Sequence, residues 1–344
     1  MKASRKLFFV VISAYCVLIS CLHIGNVYAQ DISAQKYAGY ITIAGARKHL
    51  TIIASDAFEG RETGKSGANK AANYIAGEFK KLGLVAPVSR TYFQNVPLKD
   101  SSLKAVNVMG YLEGTDLKHE VLVFSAHYDH IGISLTGADR INNGADDDGS
   151  GTTAVLELAK AFVQAKKEGK GPRRSILFLT VVGEEKGLLG SSWYTDHPIF
   201  SLENTIADLN IDMIGRVDPA HVSNPNYCYL IGSDKLSTAL HQISEQANDT
   251  YTKLDLDYKY NSPSDPERIY YRSDHYNFAK HNIPIIFYFN GVHEDYHKPS
   301  DEVSKIRFDL LVKRAQLVFY TGWELVNRDE RPKVDVTNDM PTHR

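Results

Sequence analysis

Short apolar runs set the frame of this chain. Val121-Leu122-Val123-Phe124, Ile176 to Val182 and Ile285 to Phe289 are almost without charge, and Ile206 to Ile211, the third along the chain, is mixed. Runs of this length read as strands buried on both faces. Between them lie segments of helical character. Residues 36–53 and 69–82 form one pair, the second carrying Ala71, Ala72, Ile75, Phe79 and Leu82 at helical spacing and stopping at Gly83. Residues 151–167 follow a Gly/Ser-rich turn, Leu236 to Gln246 is a fourth segment, and 304–327 suits a long closing helix. Buried strands alternating with helices predict an α/β fold, a three-layer α/β/α sandwich around a mostly parallel mixed sheet. Residues 218–268, rich in Tyr, Asn, Asp, Ser and Pro, break the rhythm and are expected as a lid-like excursion over the sheet edge.

In such a sheet, ligands bind beyond the carboxyl ends of the strands. Polar groups gather there. His127-Tyr128-Asp129-His130 follows the first strand, Gly183-Glu184-Glu185 the second, and Asp212 the third. Gly144-Ala145-Asp146-Asp147-Asp148-Gly149-Ser150-Gly151 opens a helix, and His297 lies in Tyr296-His297-Lys298-Pro299-Ser300-Asp301. Singly, each has an ordinary reading. Aspartates before a helix cap it, paired glutamates are commonly solvated, and a loop histidine is unremarkable. Together, crowded carboxylates repel unless a cation joins them, and His with Asp and Glu is a donor set for zinc.

These segments resemble the motifs of the co-catalytic di-zinc aminopeptidase family, which also holds glutaminyl cyclases and glutamate carboxypeptidases. The likeness rests on His127-x-Asp129, the Gly144 to Gly151 segment, Glu184-Glu185-x-Gly187-Leu188-x-Gly190-Ser191, Asp212-Met213-Ile214-Gly215 and His297-x-Pro299-x-Asp301. Ser273-Asp274-His275 is a further family-like segment, and the resemblance covers roughly residues 45–325. It implies a zinc-exopeptidase-like fold and two zinc ions per chain, with Asp147 bridging them. His127 and Asp212 would complete one site, Glu185 and His297 the other. Glu184 is then the general base for metal-activated water, and Asp129 orients His127. By the same pattern His130 is a pocket residue, and Tyr270 or Tyr271 lies near the substrate. The implied function is hydrolysis of amino-terminal residues from peptides. Alternatives are a glutaminyl cyclase or carboxypeptidase of the same fold, or a non-catalytic binding protein.

The amino terminus has the layout of an export signal. Lys2, Arg5 and Lys6 precede an apolar stretch from Leu7 to Leu22, and Val27-Tyr28-Ala29 offers small residues for cleavage after Ala29. The stretch is short for a membrane span, which needs ~20 residues. Residues 1–29 are therefore expected as a signal peptide and 30–344 as a single peptidase domain, periplasmic or secreted. Leu18-Ile19-Ser20-Cys21 offers the alternative of a lipid anchor at Cys21. Cleavage after Ala29 leaves only Cys228, so no internal disulfide forms. The net charge of −2, with no basic stripe, gives no sign of a nucleic-acid partner.

Overall fold

The computed structural model describes residues 31–340. Residues 1–29, expected as a signal peptide, and with them Cys21, lie outside the described residues. Eight strands form one sheet: β1 (Phe93–Asn95), β2 (Val106–Leu112), β3 (Leu117–His127), β4 (Arg174–Val181), β5 (Thr205–Ile211), β6 (Tyr227–Ile231), β7 (Asp255–Asp257) and β8 (Ile285–Phe289). Their spatial order is β1-β2-β4-β3-β5-β8-β6-β7. The central four, β4-β3-β5-β8, are mutually parallel. Strands β2 and β6 flank them antiparallel. The mixed, mostly parallel α/β sheet expected from the apolar runs is what forms.

Helices cover both faces: α1 (Ile32–Ala38), α2 (Ile43–Ile53), α3 (Ser66–Leu82), α4 (Gly149–Lys167), α5 (Leu189–Asp196), α6 (Thr238–Ala247), α7 (His275–Lys280) and α8 (Phe308–Asn327). Alternate residues of β3 point to opposite sides, as strand geometry requires. Leu122, Phe124 and Ala126 join the core under α3, α4 and α8, while Val121 and Val123 join the one shared with Tyr194 and Phe278 of α5 and α7. Phe124 stacks on Phe178 at 5.7 Å and packs beside Phe162 of α4. No helix among the described residues is long and apolar enough to cross a membrane.

The structure departs from the expected elements in three places. The helix read over 36–53 is two helices, because Thr42 is extended and its side chain accepts from the Gly45 N–H at 3.0 Å, starting α2 afresh. Strands β1 and β2, and the short helices α5 and α7, had no counterpart in the sequence reading. The stretch 218–268 contains β6, α6 and β7. All five residues of β6 are buried and its Leu230 pairs with Tyr288 of β8, so this part extends the sheet rather than passing over it.

Candidate active site

Strands β4, β3 and β5 are neighbours, so the residues leaving their carboxyl ends meet. β3 delivers His127, the turn after β4 delivers Glu184 and Glu185, and Asp212 follows β5 directly. Asp147 comes from the loop before α4, and His297 from the segment after β8. The sequence-selected metal candidates therefore converge from five segments.

They form two groups that share one carboxylate. On one side His127 Nε2 lies 3.2 Å from Asp147 Oδ1 and 3.5 Å from Asp212 Oδ1. On the other, His297 Nε2 lies 3.0 Å from Asp147 Oδ2 and 3.2 Å from Glu185 Oε2. His130 enters this second group, its Nδ1 lying 3.0 Å from Glu185 Oε1 and 3.6 Å from Asp147 Oδ2. Donors about 2.0–2.2 Å from a tetrahedral zinc stand about 3.3 Å apart, so both groups have the spacing to hold one. Asp147 Oδ2 and Asp212 Oδ1 are buried without a hydrogen-bond partner, as expected of oxygens kept for a cation. The His127, Asp147 and Asp212 set and the His130, Asp147 and Glu185 set each suit a metal ion. The family pattern passes over His130, yet its ring is fully buried within the second set.

The electrostatics express the same demand for positive charge. Burial disfavours charge on His127, but Asp212 together with Asp129 and Asp147 holds its imidazole well above the ordinary range. Burial likewise opposes the Asp147 carboxylate, and the His130, His127 and His297 rings hold it well below its usual range. Carboxylates so placed hold protons on His127 and His297, the requirement a divalent cation meets.

Supporting groups fix the donors. His127 Nδ1 faces the Asp129 backbone carbonyl at 3.1 Å, nearer than the Asp129 carboxylate at 3.7 Å. That carboxylate accepts from Thr63 Oγ1 at 2.6 Å and from the Glu184 N–H at 3.3 Å, tying the Glu184 backbone to the His127 loop. Ser273 Oγ donates to Asp212 Oδ2 at 2.7 Å. Asp148 accepts from the N–H groups of Gly151, at the start of α4, and of Met213. Asp146 accepts from the Gly215 N–H and faces His293. The three successive aspartates thus point three ways, and the middle one reaches both donor groups. Gly144 is required by this turn: its φ is 53°, and a Cβ there would lie 2.3 Å from the Asp147 carbonyl and 2.6 Å from the His130 ring. His297 and Met213, at and beside the candidate donors, hold φ of 56°, in the left-handed region.

Arg61 was not singled out by the sequence reading. Fully buried, it donates to the carbonyls of Tyr128, Ile53, Asn143 and Gly144 at 2.6–3.0 Å, clamping the loops that carry His127 and Asp147. Its partners are scattered along the chain, so no local pattern marks it.

Two cavities open onto the donors. The inner cleft, about 30 Å³, is lined by His127, Asp147, Glu184 and Asp212 and walled by Met213, Ile269, Phe287, Phe289 and Val292. The outer cavity, about 380 Å³, is lined by Glu184, Glu185, Leu188, Arg268, Tyr271 and Arg272. Tyr296 borders both and stacks on His297 at 3.9 Å. Of the two tyrosines expected near a substrate, Tyr271 borders the outer cavity, whereas the Tyr270 hydroxyl accepts from Asn338 and that ring lines neither. Glu184 belongs to neither donor group, and burial holds its carboxyl well above the usual range.

Comparison with known proteins agrees with this architecture. The profile described as "Peptidase family M28" matches residues 107–322. "Aminopeptidase YwaD" of Bacillus subtilis is 27% identical over 235 residues, 66% of this chain and 46% of its own length. The chain spans about half the length of the curated relatives it matches. Among solved structures, the LapA aminopeptidase of Legionella pneumophila superposes with a TM-score of 0.68 at 22% identity, covering 96% of this chain and 81% of that one. BSAP, a zinc aminopeptidase from Bacillus subtilis, gives 0.64 at 18%, covering 88% and 99%. A glutaminyl cyclase of Bacteroides thetaiotaomicron gives 0.63 at 18%, covering 85% and 99%. At such identities the likeness is one of fold alone, a fold shared by neighbours of both activities.

Proposed function

The chain belongs to peptidase family M28, and from that premise we propose that it is an exported di-zinc aminopeptidase that releases amino-terminal residues from peptides. The observation that carries this reading is Asp147, whose two oxygens face two separate donor groups. His127 and Asp212 would hold one zinc with it, and Glu185 and His297 the other, with His130 beside them. When bound, the ions supply positive charge that acidifies water and polarises a carbonyl. The residues do the rest. Glu184 lies in the same cleft, outside both donor groups, with a carboxyl raised by burial. A carboxylate of raised basicity accepts a proton from the attacking water and returns it to the departing amine. Asp129 holds the Glu184 backbone and the His127 ring in register. The surplus of carboxylates attracts a free α-amino group, which favours cleavage after the first residue. The wall of the inner cleft is apolar, which favours an aliphatic over a charged first side chain.

The glutaminyl cyclase reading shares the fold but works with one zinc, and the complete second donor group favours the peptidase. A panel of Leu-, Ala-, Phe- and Gln-anilides, each with free and with acetylated amino group, tests this. Chelator-sensitive cleavage of the free forms, aliphatic residues first, is expected. Cyclisation of an amino-terminal glutamine without anilide cleavage would overturn it.

A further inference from the structure

The outer cavity carries a charge pattern that hydrolysis alone does not need. Arg268 and Arg272 both face it, together with Glu184, Tyr271 and Tyr296. Arg272, Tyr296 and Glu184 also line the inner cleft, so they stand where the two cavities join. Among the described residues, several other arginines are already engaged. Arg173, Arg174, Arg216 and Arg307 pair with carboxylates, and Arg61 and Arg314 are consumed by buried carbonyls. Arg272 instead reaches only the Tyr296 hydroxyl, at 3.5 Å, and the Arg268 guanidinium lies 4.8 Å from the centre of the Tyr271 ring. Among the described residues neither is paired with a carboxylate.

Resting on the aminopeptidase reading, we propose that Arg272, backed by Arg268, binds a carboxylate on the residue that follows the scissile bond. The scissile carbonyl has to meet the donors beside Glu184, where the two cavities join. The leaving residue then extends into the outer cavity. One residue spans at most ~3.6 Å, so an acid group on that residue stays within the outer cavity. A planar guanidinium recognises a carboxylate with two parallel N–H donors. The acid has two sources, the terminal carboxylate of a dipeptide or the side chain of Asp or Glu in second position. The preferred substrates are accordingly dipeptides or peptides acidic at their second residue.

The test compares kcat/KM of the zinc-loaded enzyme for Leu-Ala against Leu-Ala-amide, and for Leu-Glu-amide against Leu-Gln-amide. The first ratio reads the terminal carboxylate, the second the side chain. At least one should be about tenfold, the worth of one charge-assisted hydrogen bond. In Arg272→Gln that ratio should fall toward one, mainly through KM, and Arg272→Lys should restore part of it. It should also shrink with added salt, since both arginines are exposed. Ratios near one in the wild type, or a preference that survives an Arg268→Gln/Arg272→Gln double variant, would overturn the assignment. Cleavage of Leu-anilide separates the two levels: its absence overturns the aminopeptidase reading itself, and its presence without a carboxylate preference overturns only the arginine site.

Discussion

Glu184 and Glu185 are adjacent, yet the fold gives them different surroundings. Glu185 contacts His130 and His297, while Glu184 faces the cleft outside both donor groups. Glu184→Gln should therefore keep its zinc and lose about 10²–10⁴-fold in kcat, the span of a general base; metal content and turnover of the same sample check it. Loss of zinc with turnover retained on reconstitution would exchange the two roles. His130 makes a second expectation. Removing a group that touches a ligating carboxylate typically weakens metal binding about 10–100-fold. His130→Ala should show that loss for one of two zincs in a chelator-competition titration, and two unchanged affinities would reduce His130 to a packing residue. The candidate ligands were legible because each sits in a short polar motif, at a strand end, before a helix or in the loop after the last strand. His130 was read from the same motif as His127 only as a pocket residue, and Tyr296 and Arg61 drew no role, since their importance comes from partners far along the chain.

At the scale of elements, helix α3 shows how one residue type takes opposite signs. Gly67 packs its backbone on the turn that carries Arg61, and a Cβ there would meet the Phe58 carbonyl at 1.9 Å. Gly77, in the same helix, has nothing within 4 Å of such a Cβ. Gly67→Ala should destabilise by about 1–3 kcal/mol through overpacking, and Gly77→Ala should stabilise by roughly 0.4–1 kcal/mol. Urea midpoints at constant m-value measure both, and equal shifts would refute the close docking of α3. The central strands were readable because burial on both faces leaves a plain apolar run. Strand β2 was not, because Asn107 and Gly110 interrupt it; Asn107 bonds Gln94 and the Gly190 carbonyl inside the structure. Strand β6, Tyr-Cys-Tyr-Leu-Ile, was hidden by its polar flanks.

For the whole molecule, stability should depend on pH through buried histidines away from the metal donors. Burial lowers His49 to about 4 and His275 to about 3. Above pH 6.5 both are neutral, folded or unfolded. As pH falls below that, the unfolded chain binds protons the folded one refuses, so these groups subtract stability progressively down to their folded values. His49 lies 2.8 Å from the Tyr74 hydroxyl, a contact glutamine can replace. Between pH 6.5 and 4, His49→Gln should make the fall of unfolding free energy shallower by up to roughly 1.4 kcal/mol per pH unit, one proton's worth. Parallel pH profiles for wild type and variant would show that His49 titrates normally in the fold.

The central claim is that one carboxylate, Asp147, joins two metal sites into one hydrolytic centre. Zinc titrated into metal-free protein, with bound metal and Leu-anilide turnover followed together, tests it most directly. Two equivalents per chain, with full turnover reached only as the second binds, is the expected result. Saturation at one equivalent, or none, would contradict it.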